Sequence, residues 1–337
     1  MKVLLDAFGG DNAPHEIIKG ALMALDENKE LVIEMFGDET KIKAELNALG
    51  YKGDRIIITD AKEVITNNES PVEAVKTKKD SSLVKAVEKL KTDDESIGFV
   101  SAGSTGAVLT AGFLKLGRIP GIKRPALAPA FPTIDGGQVL VVDCGANMDT
   151  DEYTLVQFAK MGNAYMKNVL GVESPRIALL SVGVEDKKGN EVTKKAFALL
   201  KEEKNLNFVG NMEARDALTG KYDVIVCDGF AGNVLIKSIE GTAETLIKVM
   251  KRCFLKNLKS RIGALLLKNS LKDMKNMLDY NSAGGSPFLG VKKIMIKSHG
   301  SSKAPSICAS IKQVITFNEK KLIENIEKDM VAENENA

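Results

Sequence analysis

The chain of 337 residues has no tryptophan, and its aromatics are 12 Phe and 5 Tyr. That scarcity argues against a platform on which bases of a single-stranded nucleic acid stack. Its four cysteines, Cys144, Cys227, Cys253 and Cys308, are scattered with no CxxC pair. A zinc site or a disulfide framework is therefore not indicated, and a reducing cytosol is the simple reading. No apolar run approaches the roughly 20 residues that a membrane-spanning helix needs. The opening MKVLLDAFGGD carries no signal-peptide pattern and enters a strand-like run at once. The expectation is a cytoplasmic protein that at most lies on a membrane. Lys plus Arg number 47 against 45 Asp plus Glu, so the molecule as a whole is no polyanion binder. Any charged partner must be met by a local patch.

What the sequence does contain is alternation. Short runs rich in Val, Ile and Leu occur at Val3–Ala7, Leu31–Phe36, Arg55–Thr59, Ile97–Ser101, Val139–Cys144, Ile177–Val182, Asp223–Cys227 and Lys293–Ile296. They mostly lack polar alternation, as buried parallel strands do. Helical patterns lie between them at His15–Asn28, Lys41–Leu49, Leu83–Lys91, Glu152–Leu170 and Glu191–Glu203. The pattern predicts an α/β fold, a largely parallel sheet with helices on both faces. Neither an internal repeat nor a low-complexity linker divides the chain. Residues 1–320 read as a single domain, and 321–337 as a helix end followed by a polar, frayed tail. From Leu246 to Leu278 there are nine Lys or Arg and a single acid, Asp273.

Six glycine-rich turns follow strand-like runs: Ala7–Pro14, Ala102–Ala107, Cys144–Asn147, Gly183–Glu191, Asp228–Asn233 and His299–Ser302. In open parallel sheets ligands bind beyond the carboxyl ends of the strands. Glycine lets backbone approach a ligand, and free N–H groups at a helix start attract anions. Each turn alone reads first as a tight strand-to-helix connection. Six together favour a phosphate site. None is GxGxxG or GxxxxGK[ST], so dinucleotide and P-loop readings lack direct motif support.

In order along the chain, DAFGGDNAP, KKDSS, SAGSTGA, RPALAP, DCGANMD, GNEVTK, GNMEARD, DGFAGNVLIKSIEG and KSHGSS resemble the phosphate acyltransferase family, PlsX, of bacterial phospholipid synthesis. The likeness runs from about Val3 to about Ile315. It implies a fold similar to isocitrate and isopropylmalate dehydrogenases, used without a nucleotide or other cofactor. It implies transfer of a long-chain acyl group from acyl carrier protein to inorganic phosphate, giving acyl phosphate. It also implies a homodimer attached peripherally to the membrane, whose product feeds a membrane glycerol-3-phosphate acyltransferase. One departure is Ser104, where the family usually has Asn; it keeps a donor on a shorter side chain.

In that reaction a phosphate oxygen attacks a thioester carbonyl and expels a thiolate, so no serine or cysteine nucleophile is required. The site must supply a cationic cradle and fixed donors for the oxyanion. Lys188, just before Gly189 and a helix start, is a candidate phosphate grip, or else a solvated surface lysine. Asn233 is a candidate donor, or else the cap of the helix that follows. His299 is a candidate phosphate ligand or proton donor to the thiol, or else a structural histidine. The remaining substrate candidates are Gly9, Gly10, Asp11, Ser104, Thr105, Gly106, Asp143, Gly145, Asn147, Gly232, Gly300, Ser301 and Ser302. Asp11 and Asp143 sit near the anion, where repulsion argues that they orient loops. No close acidic spacing supports a metal site.

Within the basic segment Met250, Phe254, Leu258, Ile262 and Leu265 recur at three- or four-residue spacing, which predicts one apolar helix face. The run containing Ile262, Leu265, Leu266 and Leu267 is the predicted apolar tip of a projecting basic hairpin, either membrane-seeking or packed in a core or dimer interface. The same arm, or Lys115, Arg118, Lys123 and Arg124, offers positive charge to an acidic carrier protein. The alternatives kept open are a coenzyme A-dependent short-chain phosphate acyltransferase, an NAD-dependent decarboxylating dehydrogenase and a non-enzymatic membrane organiser.

Overall fold

The computed structural model describes residues 1–271, 274 and 284–331. Two sheets carry the fold. The first has seven strands in the order β3-β2-β1-β4-β12-β11-β5: β1 (Lys2–Asp6), β2 (Val32–Gly37), β3 (Ile56–Asp60), β4 (Ser96–Ser101), β5 (Ala126–Leu127), β11 (Ser286–Leu289) and β12 (Ile294–Lys297). Its first five members run parallel, whereas β11 pairs antiparallel with both β12 and β5. The second has five strands in the order β6-β7-β10-β8-β9: β6 (Ala130–Pro132), β7 (Gln138–Val142), β8 (Arg176–Ser181), β9 (Asn207–Glu213) and β10 (Val224–Val226). All its pairings are parallel except the β6–β7 edge.

The eight strand-like runs of the sequence all lie in these sheets. Four further strands escaped the apolar pattern, each for a local reason. β5 has two residues, β6 ends on Pro132, and β11 contains Pro287. The edge strand β9 exposes alternate residues and carries Asn207, Gly210, Asn211 and Glu213, so its composition reads as loop.

The helices are α1 (His15–Glu27), α2 (Glu39–Ala48), α3 (Pro71–Thr77), α4 (Ser82–Thr92), α5 (Thr105–Ala111), α6 (Glu152–Asn168), α7 (Glu191–Glu202), α8 (Gly229–Leu255), α9 (Leu258–Leu266), α10 (Ala304–Glu319) and α11 (Leu322–Val331). One continuous cluster of buried side chains runs through both sheets, from Val3, Leu5 and Ile33 to Leu140, Val142 and Ile177. The interior of α6, with Phe158 and Met161 fully buried, belongs to it, and Tyr165 meets Phe317 of α10 edge-on at 5.5 Å. Leu322, Ile326 and Met330 of α11 join the same core. Each such burial contributes about 1.5–3 kcal/mol, which is why the strands read as unbroken apolar runs.

Helix α8 leaves this body. Its buried residues are Gly229, Gly232, Leu235 and Ile236, all in its first two turns, and α9 has none. The single apolar face predicted over Met250–Leu265 is corrected here. α8 ends at Leu255, and Asn257 caps α9 by accepting from the Ser260 N–H at 2.9 Å, so Met250 and Phe254 lie on one helix and Leu258, Ile262 and Leu265 on the next. Lys272, Asp273 and 275–278 of the predicted arm, and 332–337 of the predicted tail, lie outside the described residues.

The first strand is pinned at its start. Lys2 Nζ lies 2.5 Å from Asp93 Oδ2, just beyond α4, and Asp93 also accepts from the Ser96 hydroxyl at 2.9 Å. The Lys2 ammonium, more than any other neighbour, holds the Asp93 carboxyl well below the usual carboxylate range. Its stabilisation is present above the unfolded carboxylate pKa of about 4 and is lost as pH falls through the lower folded value. Asp93→Asn is expected to lower Tm by roughly 2 °C at neutral pH. Thermal melts across pH should show the gap between variant and wild type closing below about pH 4.

Candidate active site

The carboxyl ends of the two sheets face one another across a cleft of about 260 Å³. Sheet one contributes Thr105, which opens α5 after β4, and Lys297, Ser298 and His299 at the end of β12. Sheet two contributes Cys144, Gly145 and Met148 after β7, and Asn233, Lys237 and Glu240 on α8 after β10. The crossing segment Leu127–Phe131, which passes from β5 to β6, lines it too.

A buried carboxylate shapes each wall. In sheet two, Asp143 Oδ1 accepts the N–H groups of Leu127 at 2.8 Å, Cys144 at 2.7 Å and Ala146 at 3.2 Å. Its Oδ2 accepts the Asn147 N–H at 2.6 Å and the Asn147 side-chain amide at 3.0 Å. Burial pushes the Asp143 carboxyl up, and these donors pull it back toward the charged form. In sheet one, Asp6 at the end of β1 accepts from the Ser82 and Ser101 hydroxyls, both at 2.7 Å, and from the Phe8 N–H at 3.2 Å. Burial raises its pKa likewise. Asp143 and Asn147 thus stand behind the cleft, with Asn147 also donating to the Pro125 carbonyl at 2.8 Å.

At the start of α8 the cap is Asp228, whose Oδ1 accepts from the Ala231 N–H at 2.7 Å. The capping alternative for Asn233 is therefore corrected: the residue lies inside the helix, on the face that lines the cleft. Gly232 allows this, because the helix passes so close to the Asp143 carbonyl that a Cβ would collide with it. Gly145, at φ +115°, turns the opposite backbone toward Asn233 in a conformation that side chains avoid.

Lys297 is the residue that the sequence reading missed. It ends β12, where Ile294, Met295 and Ile296 are buried, and it is itself only 7% exposed. Its Nζ donates to the Ser298 carbonyl. Burial pushes its pKa down to about 8, with Asp11 and Asp6 pulling it up and Lys237 pushing it further down. A signal was available: a lysine closing an otherwise apolar strand, at the head of KSHGSS. The Lys237 ammonium is paired with Glu240 at 2.6 Å. Beside Lys297, His299 Nδ1 accepts the Ser301 N–H at 3.3 Å and lies 2.8 Å from the Ser301 hydroxyl. A backbone N–H can only donate, so the neutral ring carries its proton on Nε2. Burial, then Lys237, and more weakly Lys297 lower its pKa, which keeps the ring neutral at pH 7.

The other sequence candidates divide. Gly9 and Gly10 pack against Gly103 and Ala102, the Asp11 N–H donates to the Gly300 carbonyl at 2.8 Å, and Asn12 donates to the Ser301 and Ser302 carbonyls at 3.0 and 3.2 Å. These turns brace the His299 loop from behind and do not line the cleft. Ser104 precedes α5 without a side-chain capping bond, and Gly106 faces Pro71 of α3. The Ser302 hydroxyl is buried without a hydrogen-bond partner among the described residues. Lys188 is exposed on the turn before α7, its N–H on the Glu185 carbonyl at 3.0 Å, and it does not line the cleft. That turn leaves the same edge of sheet two, since β8 pairs parallel with β10. His15 lies at the surface, 2.5 Å from Glu45. Among the described residues, no group of three or more His, Cys, Asp or Glu side chains gathers as a metal site.

Comparison with known proteins gives these features a context. A family model described as "Fatty acid synthesis protein" matches residues 1–325. A phosphate acyltransferase of Halothermothrix orenii is 48% identical over 93% of both chains. One from Clostridium botulinum is 47% identical over 99% of this chain and 100% of its own. Among solved structures, a phosphotransacetylase from Streptococcus pyogenes superposes with TM-score 0.64 at 18% identity, over 96% of this chain and 94% of its own. A candidate 4-hydroxythreonine-4-phosphate dehydrogenase from Salmonella typhimurium does so with TM-score 0.53 at 16% identity, over 94% and 98%. The two structures share the fold, a parallel α/β scaffold used by acyltransferases and dehydrogenases alike. Identity near one half along almost the entire length carries the stronger statement: the chain is an acyltransferase belonging to the fatty acid synthesis protein family, PlsX, of phosphate acyltransferases.

Proposed function

We propose that the enzyme transfers a long-chain fatty acyl group from acyl carrier protein to inorganic phosphate, giving acyl phosphate for phospholipid synthesis. The observation that carries this reading is one cleft holding a buried ammonium, Lys297, a neutral imidazole, His299, and a side-chain amide, Asn233. A cation and two neutral donors suit a phosphate dianion and a developing oxyanion.

In the proposed reaction the Lys297 ammonium and the Asn233 amide hold phosphate. A phosphate oxygen attacks the thioester carbon, and the carbonyl electrons move onto oxygen. When they return, the C–S bond breaks, the thiolate takes, through water, the proton that the phosphate carried in, and the neutral His299 ring donates its Nε2–H as a hydrogen bond to the charge that develops. Lys188 is proposed to grip the phosphate from the neighbouring turn. No covalent acyl-enzyme is required. Cys144 lines the cleft, but burial, followed by the neighbouring Cys227 and Asp143, pushes its thiol pKa well up, which suppresses the nucleophilic thiolate.

The carrier protein is proposed to approach the basic surface. Of the four cations near α5, Lys115 and Lys123 are paired with Glu88 at 2.7 Å and Asp151 at 2.6 Å. Arg118 stacks over Phe113 at 5.2 Å and, with Arg124, offers the guanidinium groups of that patch. The arm is proposed to rest on the membrane, supported by the exposure of Leu265 at 71% and Leu266 at 82% beside Lys259 and Arg261. No helix among the described residues is long and apolar enough to cross a membrane. Delivery to a membrane glycerol-3-phosphate acyltransferase, and assembly as a homodimer, complete the reading.

Acyl phosphate should form from acyl carrier protein thioester and phosphate; turnover only with coenzyme A thioesters would favour the short-chain alternative. Lys297→Met is expected to raise KM for phosphate about tenfold or more, the cost of a charge-assisted contact. The profile of kcat/KM for phosphate should fall as pH rises through about 8, where Lys297 loses its proton. Lys297→Arg should move that limb upward. Lys188→Ala should also weaken phosphate use; full activity would remove Lys188 from the mechanism. Replacing Leu265, Leu266 and Leu267 with Ser should release the folded protein from anionic vesicles in a flotation assay. Unchanged flotation would reject the tip as an anchor.

A further inference from the structure

Beside the reaction cleft lies a second, larger cavity of about 730 Å³, lined almost wholly by apolar groups. We infer that this cavity is the binding site for the hydrocarbon chain of the acyl donor. The inference rests on the long-chain reading above and adds the place where the chain is held.

Three observations carry it. First, the two spaces adjoin. Phe131 lines both, and α8 is the wall between them. Asn233, Ile236, Lys237 and Glu240 occupy one stripe of that helix and line the polar cleft. Leu235, Ile239, Ala243 and Leu246 occupy the neighbouring stripe, at spacings of three and four, and line the apolar cavity. The two spaces adjoin at Phe131, where a chain attached to a carbonyl in the cleft would pass round α8 into the apolar cavity. Second, the lining fits an alkyl chain. Leu218 and Phe131 face the α8 stripe, and among the described residues the one charged group at the cavity is Arg215, whose guanidinium is paired with Glu213. Third, the length fits. From Leu235 to Leu246 the helix rises about 16 Å at 1.5 Å per residue, the extended length of a chain of roughly a dozen carbons. The cavity runs outward along α8 toward the arm, so the chain's far end points toward the face proposed to meet lipid.

The experiment compares kcat/KM for palmitoyl- and hexanoyl-acyl carrier protein with saturating phosphate, in the full chain. Ala243→Phe places a ring in the middle of the cavity. At about fourfold per methylene displaced, the palmitoyl-to-hexanoyl ratio is expected to fall at least tenfold. Leu246→Gln, at a half-exposed position that tolerates a polar side chain, should lower the same ratio more mildly and guards against a folding defect in the first variant. A ratio unchanged in both variants would overturn the chain site while leaving phosphate acyl transfer standing. A shift in sedimenting mass with an unchanged ratio would assign the cavity to a second copy of the chain, and would equally overturn it. If wild type turned over neither donor, the carrier-protein reading would fail first and the chain site with it.

Discussion

The Asp143 carboxylate is the interaction on which the site's construction depends. Stripping a carboxylate of water costs several kcal/mol unless donors replace the lost solvent. Here five N–H donors do so. One of them, the Leu127 N–H, belongs to β5 of the first sheet, while Asp143 itself directly follows β7 of the second. The Cys144 N–H answers by donating to the Leu127 carbonyl at 3.0 Å. The two sheets are thereby stapled at the point where the chain crosses between them, and the cleft exists because their carboxyl ends are held facing each other. Asp6 performs the parallel task within sheet one, tying α4 and β4 to the turn after β1.

Given those two anchors, the chemistry of the cleft follows from desolvation. A lysine at a strand end, its burial partly offset by Asp11 and Asp6, keeps its charge but holds it loosely. The same environment keeps His299 neutral and Cys144 protonated. A site with these properties attracts an anion and offers neutral donors. The thiol that lines it is held protonated, which fits the proposal that phosphate itself attacks.

Helix α8 joins three levels of the molecule. Its start, capped by Asp228, delivers Asn233 to the cleft; the stretch from Asn233 to Leu246 lines the polar cleft on one side and the apolar cavity on another; its remainder carries the arm away from the body. The glycines at 229 and 232 let that helix start against the Asn147 and Asp143 backbone, closer than any other residue allows. Shifting its first turn would move all three features together.

Much of this was legible in the sequence, because its causes are local. Strand-like runs are apolar wherever both faces are buried, glycine turns mark strand ends, and an ordered set of turns identified the family. Local signals also misled where two residues compete for one job. Asp228 and Asn233 are both capping types, and only the helix start distinguishes them. Lys297 was passed over because it sits one residue beyond an apolar run and looks, in one dimension, like a surface residue. Lys188 looked central by motif, yet the folded chain leaves it on a neighbouring turn. What the sequence by itself determined was the class of fold, the elements and the chemical vocabulary of the turns, since each depends on residues a few positions apart. Which turns share a cleft, which lysine is desolvated and which face of α8 meets which cavity were decided only by tertiary structure. Those outcomes depend on strand order and on the packing of one sheet against another, contacts that span from 16 positions at the Leu127–Asp143 staple to nearly two hundred at the β4–β12 pairing.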